Sequence, residues 1–124
     1  MTKPLRIAID FGTNFCCVTY WDETEKKHKI IPNNAGSNTT PSVVAFSVPR
    51  KKGEDHKSER LVGHAALSQS TRNPTNTIFN VKRLLGRRFS NIDLQRDIKN
   101  WACKIEPDAD DKPKIICNYN GQER

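Results

Sequence analysis

The sequence predicts a mixed α/β fold of the α+β kind, in which antiparallel strands come first and short helices follow. Three observations predict it. The β-prone runs Ile7-Ala8-Ile9 and Cys16-Cys17-Val18-Thr19-Tyr20-Trp21 are joined by a turn far too short for the crossover that parallel strands need. Helix formers with apolar residues on one side occur only after position 63. Dense turn formers at 32–41 and Asn120-Gly121 punctuate the rest.

The chain of 124 residues suits one domain or part of one. A hydrophobic content of 35% is lean, but two Trp and five Phe keep the chain out of the disordered class. Lys and Arg number 21 against 14 Asp and Glu, a formal charge of +7 that suits nucleic acid, acidic surfaces or polyphosphate ligands without choosing among them. No signal-peptide core follows Arg6 and no apolar run reaches membrane-spanning length, so a soluble intracellular protein is expected. Cys16, Cys17, Cys103 and Cys117 lack C-x-x-C spacing, which reads as reduced thiols on strands rather than zinc ligands or disulfides.

In chain order, a strand ending at Asp10 turns through Gly12 into a strand at 16–21. A charged turn at 22–27 leads to a third strand at 28–31, completing a meander that needs cover from elsewhere. Residues 32–41 read as an irregular connection between lobes, 42–48 as a strand, and 50–60 as a solvated hairpin loop that cannot pack, with a basic contact patch as the alternative. A short strand at 60–63 precedes a helix over 64–70, stopped by Asn73-Pro74. Ile78, Val81 and Leu85 fall at helical spacing, predicting a short amphipathic helix over 75–86 capped by Gly86. Ser90-Asn91-Ile92-Asp93 resembles a capping box that opens a third helix through Lys99. Strands are expected at 101–105 and 114–119 around an acidic turn, and Asn120-Gly121 then announces a hairpin with only Gln122, Glu123 and Arg124 to answer it, so the chain is expected to stop in mid-fold.

The chemistry centres on the first turn. Backbone N–H groups in such a turn can converge on an anion, and a carboxylate at the strand end can hold a hydrated divalent cation beside it. Asp10 and Thr13 beside Gly12 could thus position magnesium and phosphate, and Lys82 could supply the point charge that phosphoryl transfer needs. The plainer alternatives stand beside these: a simple Gly turn, and a solvated basic face at Lys82-Arg83 and Arg87-Arg88. His28, His56 and His64 are scattered and carry no role, Asp10-Phe11-Gly12 lacks the surroundings of a kinase metal-binding triplet, and no Walker A loop occurs.

Three stretches, Ile9-Asp10-Phe11-Gly12-Thr13, the run from Asn33 to Phe46 and the run from Asn73 to Phe89, together resemble in order and spacing the start of the seventy-kilodalton heat-shock chaperones, most of all the eukaryotic cytosolic branch. The resemblance implies the first part of an actin-like, ribonuclease-H-like ATPase domain, with first-lobe strands over 1–38 and a peripheral subdomain over 39–124. By position it makes Asp10 the magnesium ligand through water, Gly12, Thr13, Asn14 and Phe15 the phosphate loop, and Lys82 the catalytic lysine, with the Thr13 hydroxyl at the phosphate. It implies ATP or ADP with Mg2+ and K+, unfolded polypeptide clients, J-domain proteins and nucleotide exchange factors as partners, a cytoplasmic and nuclear setting, and neither specific nucleic acid nor membrane. Asn14 and Phe15 replace the family's usual Thr and Tyr, Asn80 replaces an Asp, and 49–59 is longer than usual. Because the opposite lobe lies outside these residues, the chain by itself is expected to be an incompetent ATPase, and a binding or regulatory role for it is the alternative.

Overall fold

The computed structural model describes residues 4–47 and 58–123. The opening meander forms as the β-branched and aromatic runs require. Strand β1 (Ile7–Phe11) pairs antiparallel with β2 (Phe15–Asp22), and β2 with β3 (Lys27–Ile30). The register sets Asp10 opposite Cys17 and Phe11 opposite Cys16. A fourth strand, β4 (Thr40–Pro41), adds to the start of β2 within a stretch the sequence reads as wholly irregular. Asn33 makes that possible: its side-chain amide donates to the Thr39 carbonyl and Thr40 hydroxyl, and its oxygen accepts from the N–H groups of Ala35 and Ser37, folding the connection back on itself.

The second sheet is β6 (Arg60–Val62), β5 (Val44–Phe46) and β7 (Thr77–Ile78) in that order, with α1 (His64–Leu67) packed on it. Its small core joins Val43, Ala45 and Ala66, with Leu61 against them. Two further hairpins follow α2 (Ile92–Ile98): β8 (Lys104–Pro107) with β9 (Pro113–Ile116), and β10 (Asn118–Tyr119) with β11 (Gln122–Glu123). Leu94 is the wholly buried anchor of α2.

Several expectations are corrected. No helix spans 75–86. A 3-10 turn at Pro74–Asn76 runs into β7, where Ile78 pairs with Val44, and Asn80 at φ 59° breaks the path before a second 3-10 turn at Val81–Arg83. The buried Thr77 hydroxyl donates to the Asn73 carbonyl, a local bond that competes with helix. The cap of α2 is Asn91 rather than Ser90, its oxygen accepting from the Leu94 N–H at 3.0 Å. Trp101 belongs to the turn that closes α2, where its N–H donates to the Ile98 carbonyl, so β8 starts only at Lys104. The strand expected over 114–119 divides at Cys117, and the hairpin after Asn120-Gly121 is answered by β11. The solvated loop expected from position 50 lies outside the described residues up to 57. Ser58, inside the same run, is buried: its N–H donates to the Asn120 side-chain oxygen, and its hydroxyl accepts from the Asn120 N–H.

The meander's charged turn is organised around Asp22. One carboxylate oxygen accepts from the N–H groups of Thr24 and Glu25, and the other meets Lys29 Nζ at 2.7 Å. Lys29 also pairs with Glu25. The Lys29 ammonium first, then the Glu25 N–H, pull the Asp22 carboxyl from its ordinary 3.8 down to about 2. A carboxylate whose folded value is depressed stabilises above its unfolded value, and that contribution disappears as pH falls through the folded one. Wild-type stability should therefore decline between about pH 4 and pH 2 by a component that D22N lacks. Side-chain NMR titration of Asp22, alongside thermal unfolding of both proteins across that window, checks it.

Candidate functional site

The turn between β1 and β2 is tight because its own atoms fill it. The Gly12 N–H donates to the Phe15 carbonyl at 3.0 Å, and a Cβ on Gly12 would lie 2.4 Å from that oxygen. Only glycine avoids the collision. Ser42, just past β4, then clamps the turn from outside. Its hydroxyl donates to the Gly12 carbonyl at 2.8 Å, and its N–H donates to the Asn14 carbonyl at 2.8 Å. Cys16 Sγ lies 3.2 Å from the same hydroxyl oxygen. Since the single hydroxyl proton goes to Gly12, the Cys16 thiol is the donor in that contact.

These bonds divide the candidate loop. The Gly12 N–H is spent inside the turn, whereas among the described residues the N–H groups of Thr13 and Asn14 donate to no backbone carbonyl. Thr13, Asn14 and Phe15 line a groove of about 500 Å³ whose other wall includes Ser42, Thr77, Phe79 and Asn80. Backbone donors left without an internal acceptor in a turn are the groups by which loops hold anions.

Lys82 reaches the end of β1, next to the turn, from 71 positions away in sequence. Its Nζ donates to the Phe11 carbonyl at 2.5 Å and stands 5.6 Å from the Phe11 ring centroid. The Asn80 conformation redirects the chain just before it, a left-handed geometry that Asn tolerates better than most residues. Lys82 is exposed, so its ammonium sits at the end of β1 in contact with solvent. Asp10, one residue before Phe11, is an exposed carboxylate on β1. Among the described residues no three His, Cys, Asp or Glu groups converge. Asp10 therefore offers one carboxylate, suited to a cation that keeps most of its water.

The structure thus brings Asp10, Gly12, Thr13, Asn14, Phe15 and Lys82 to one end of the first sheet. Ser42 and the Phe11 carbonyl are the participants that sequence reasoning misses. Ser42 sits in a recognisable stretch, yet nothing in its spacing shows that its side chain returns to position 12. No disulfide joins the four cysteines, and burial raises the Cys103 and Cys117 thiols above the ordinary range, which makes both poor nucleophiles. His28 stacks edge-on against Trp21, centroids 5.0 Å apart.

A family model described as Hsp70 protein matches residues 6–124. The chain belongs to the Hsp70 family. The match falls on the N-terminal part of the family's nucleotide-binding domain. Heat shock cognate 70 kDa protein 3 of Dictyostelium discoideum is 41% identical over 119 residues, which is 95% of this chain and 17% of that protein. Putative heat shock 70 kDa protein 7 of Homo sapiens is 38% identical over 122 residues, 98% of this chain and 30% of that protein. A ribosome-associated molecular chaperone of Saccharomyces cerevisiae is 42% identical over 113 residues, 91% of this chain and 16% of that protein. This Hsp70 chain therefore spans from 16% to 30% of the length of these curated relatives.

Replacing Gly12 by Ala should destabilise the fold by about 1–3 kcal/mol, because the turn must open to admit the methyl group. Urea unfolding followed by tryptophan fluorescence measures it. An unchanged midpoint would show that the backbone yields without cost.

Proposed function

We propose that this chain forms the opening part of an actin-like, ribonuclease-H-like ATPase domain, with first-lobe strands over 1–38 and a peripheral subdomain over 39–124, and that its first turn cradles the phosphates of ATP or ADP. The observation that carries the reading is Lys82 on the Phe11 carbonyl beside the free N–H groups of Thr13 and Asn14. In an Hsp70 chain, a cation and two backbone donors at one strand end suit a polyphosphate.

The roles follow from the atoms present. Thr13 and Asn14 donate backbone hydrogen bonds to phosphate oxygens, and the Thr13 hydroxyl adds a third donor beside them. Gly12 and Phe15 hold the turn's shape rather than bind through their side chains. The substitutions that remove hydroxyls at 14 and 15 leave this backbone donation intact. Lys82, held near the turn by the Phe11 carbonyl, exchanges that bond for a γ-phosphate oxygen and stabilises charge that develops there. Asp10 would hold hydrated Mg2+ through its water shell, and Mg2+ with K+ would supply neutralisation of phosphate charge.

The complete protein on this reading is an ATP-dependent chaperone of the cytoplasm and nucleus that binds unfolded polypeptides and works with J-domain proteins and nucleotide exchange factors. Relatives with heat-shock and ribosome-associated names support the setting. Residues 1–124 contribute one wall of the site. Each charge-assisted hydrogen bond from an opposite wall is worth roughly 1.5–3 kcal/mol, so a few of them outweigh what this turn supplies alone.

Calorimetric titration of the 124-residue chain with Mg-ATP should give no saturable binding at micromolar concentration, and micromolar binding or steady turnover would overturn the one-wall reading. Grafted in place of the matching residues of the Saccharomyces relative, the same chain should support ATP hydrolysis, with K82A lowering kcat about a hundredfold or more. Equal turnover of the two chimaeras would remove Lys82 from the chemistry.

A further inference from the structure

Ser90 lies in a segment that the phosphate-binding reading leaves unused. Residues 84–91 connect the Val81–Arg83 turn to α2 without helix or strand, and Arg87, Arg88 and Ser90 are all exposed. Arg87-Arg88-Phe89-Ser90 sets two guanidinium groups three and two residues before a hydroxyl. The two arginines are nearly unengaged: Arg87 meets Asp97 only at 3.8 Å, and among the described residues Arg88 forms no ion pair. Such forks suit bidentate capture by carboxylates on a partner.

The hydroxyl itself is held by one residue. Ser90 Oγ donates to Asp111 Oδ2 at 2.6 Å, its N–H donates to Asp111 Oδ1 at 3.2 Å, and the Phe89 N–H donates to the Asp111 carbonyl at 2.7 Å. Asp111 is in the turn between β8 and β9, at φ 61°. These bonds fasten the segment before α2 to the β8–β9 hairpin. Both Ser90 and its partner's turn lie at the surface, where each such bond opens at small cost.

We propose that Ser90 is a phosphorylation site for an arginine-directed serine kinase, and that phosphorylation unfastens the connector from the β8–β9 turn. In the transfer, Ser90 Oγ bonds to the γ-phosphorus of a nucleoside triphosphate while the bond from that phosphorus to the β,γ-bridging oxygen breaks. The nucleoside diphosphate leaves, and the serine proton passes to a carboxylate base of the kinase. The product carries a phosphate of roughly two negative charges where a hydroxyl had donated to a carboxylate. Phosphate and Asp111 then repel, the donor is gone, and Arg87 and Arg88 become the nearest partners for the new charge. Asp93, three residues after Ser90, is the one feature that instead suits an acid-directed kinase, and it stands against two arginines.

The test incubates the 124-residue chain, its fold verified by circular dichroism, with an arginine-directed serine kinase and Mg-ATP, and in parallel with an acid-directed kinase. One phosphate at Ser90, mapped by fragment mass spectra, is expected from the first enzyme. R87A/R88A should slow it about tenfold or more, the loss expected for even one charge-assisted contact. D111N keeps the left-handed turn while weakening the hold on the hydroxyl, and should accelerate the transfer. In the phosphorylated protein, amide exchange at Phe89 should quicken about tenfold or more as its bond to the β8–β9 turn is lost. No phosphate on Ser90, faster modification by the acid-directed enzyme, an unaltered rate in R87A/R88A or in D111N, or unchanged exchange at Phe89 would each overturn the proposal.

Discussion

Ser42 fastens the first meander to the second sheet. With one hydroxyl and one N–H it satisfies the carbonyls of Gly12 and Asn14, and it takes the thiol of Cys16 as a further donor. The residue sits between β4, which extends the first sheet, and β5, which begins the second. Its neighbour Val43 is part of the small core with Ala45 and Ala66. The turn's own closure fixes which donors remain: the Gly12 N–H is consumed by the Phe15 carbonyl, and the N–H groups of Thr13 and Asn14 stay available.

Lys82 depends on a second constraint, the abandonment of a helix. Had residues 75–86 formed one, Thr77 and Ile78 could not have paired with Ala45 and Val44, and the second sheet would have lost an edge. The strand pairing, the Thr77 bond to Asn73 and the left-handed Asn80 together turn the chain so that Lys82 meets the end of β1. The fold gives up local regularity at 79–86 and gains a cation beside the turn.

What was legible in the sequence follows from range. The β1–turn–β2–β3 meander rests on neighbours in sequence, and its runs of β-branched residues and its Gly turn were readable directly. Ile78, Val81 and Leu85 misled because their spacing suits a helix, while the competing pairing of Ile78 with Val44 lies 34 positions away by residue number. The Ser58–Asn120 lock spans 62 positions and places a buried serine inside a charged run, which no local pattern reveals. At the first turn, Asp10, Gly12, Thr13 and Lys82 stand out in the sequence as candidates by residue type and by the family resemblance. The Ser42 clamp and the spending of the Gly12 N–H do not, because both are distances rather than residue types.

Strand β1 has a further consequence. Ile9 and Phe11 are 65% and 63% exposed, Ile7 is 54% exposed, and β1 is an outer strand of its sheet among the described residues. An outer strand with exposed apolar side chains is a template for cross-β association, and charge within the strand is the usual guard against it. Asp10 is the single charged residue in Ile7–Phe11. The carboxylate that would orient a cation is thus also the strand's gatekeeper against aggregation. Neutralising it changes colloidal behaviour together with ligand binding, so the two effects separate only when the association state of the variant is measured beside its affinity.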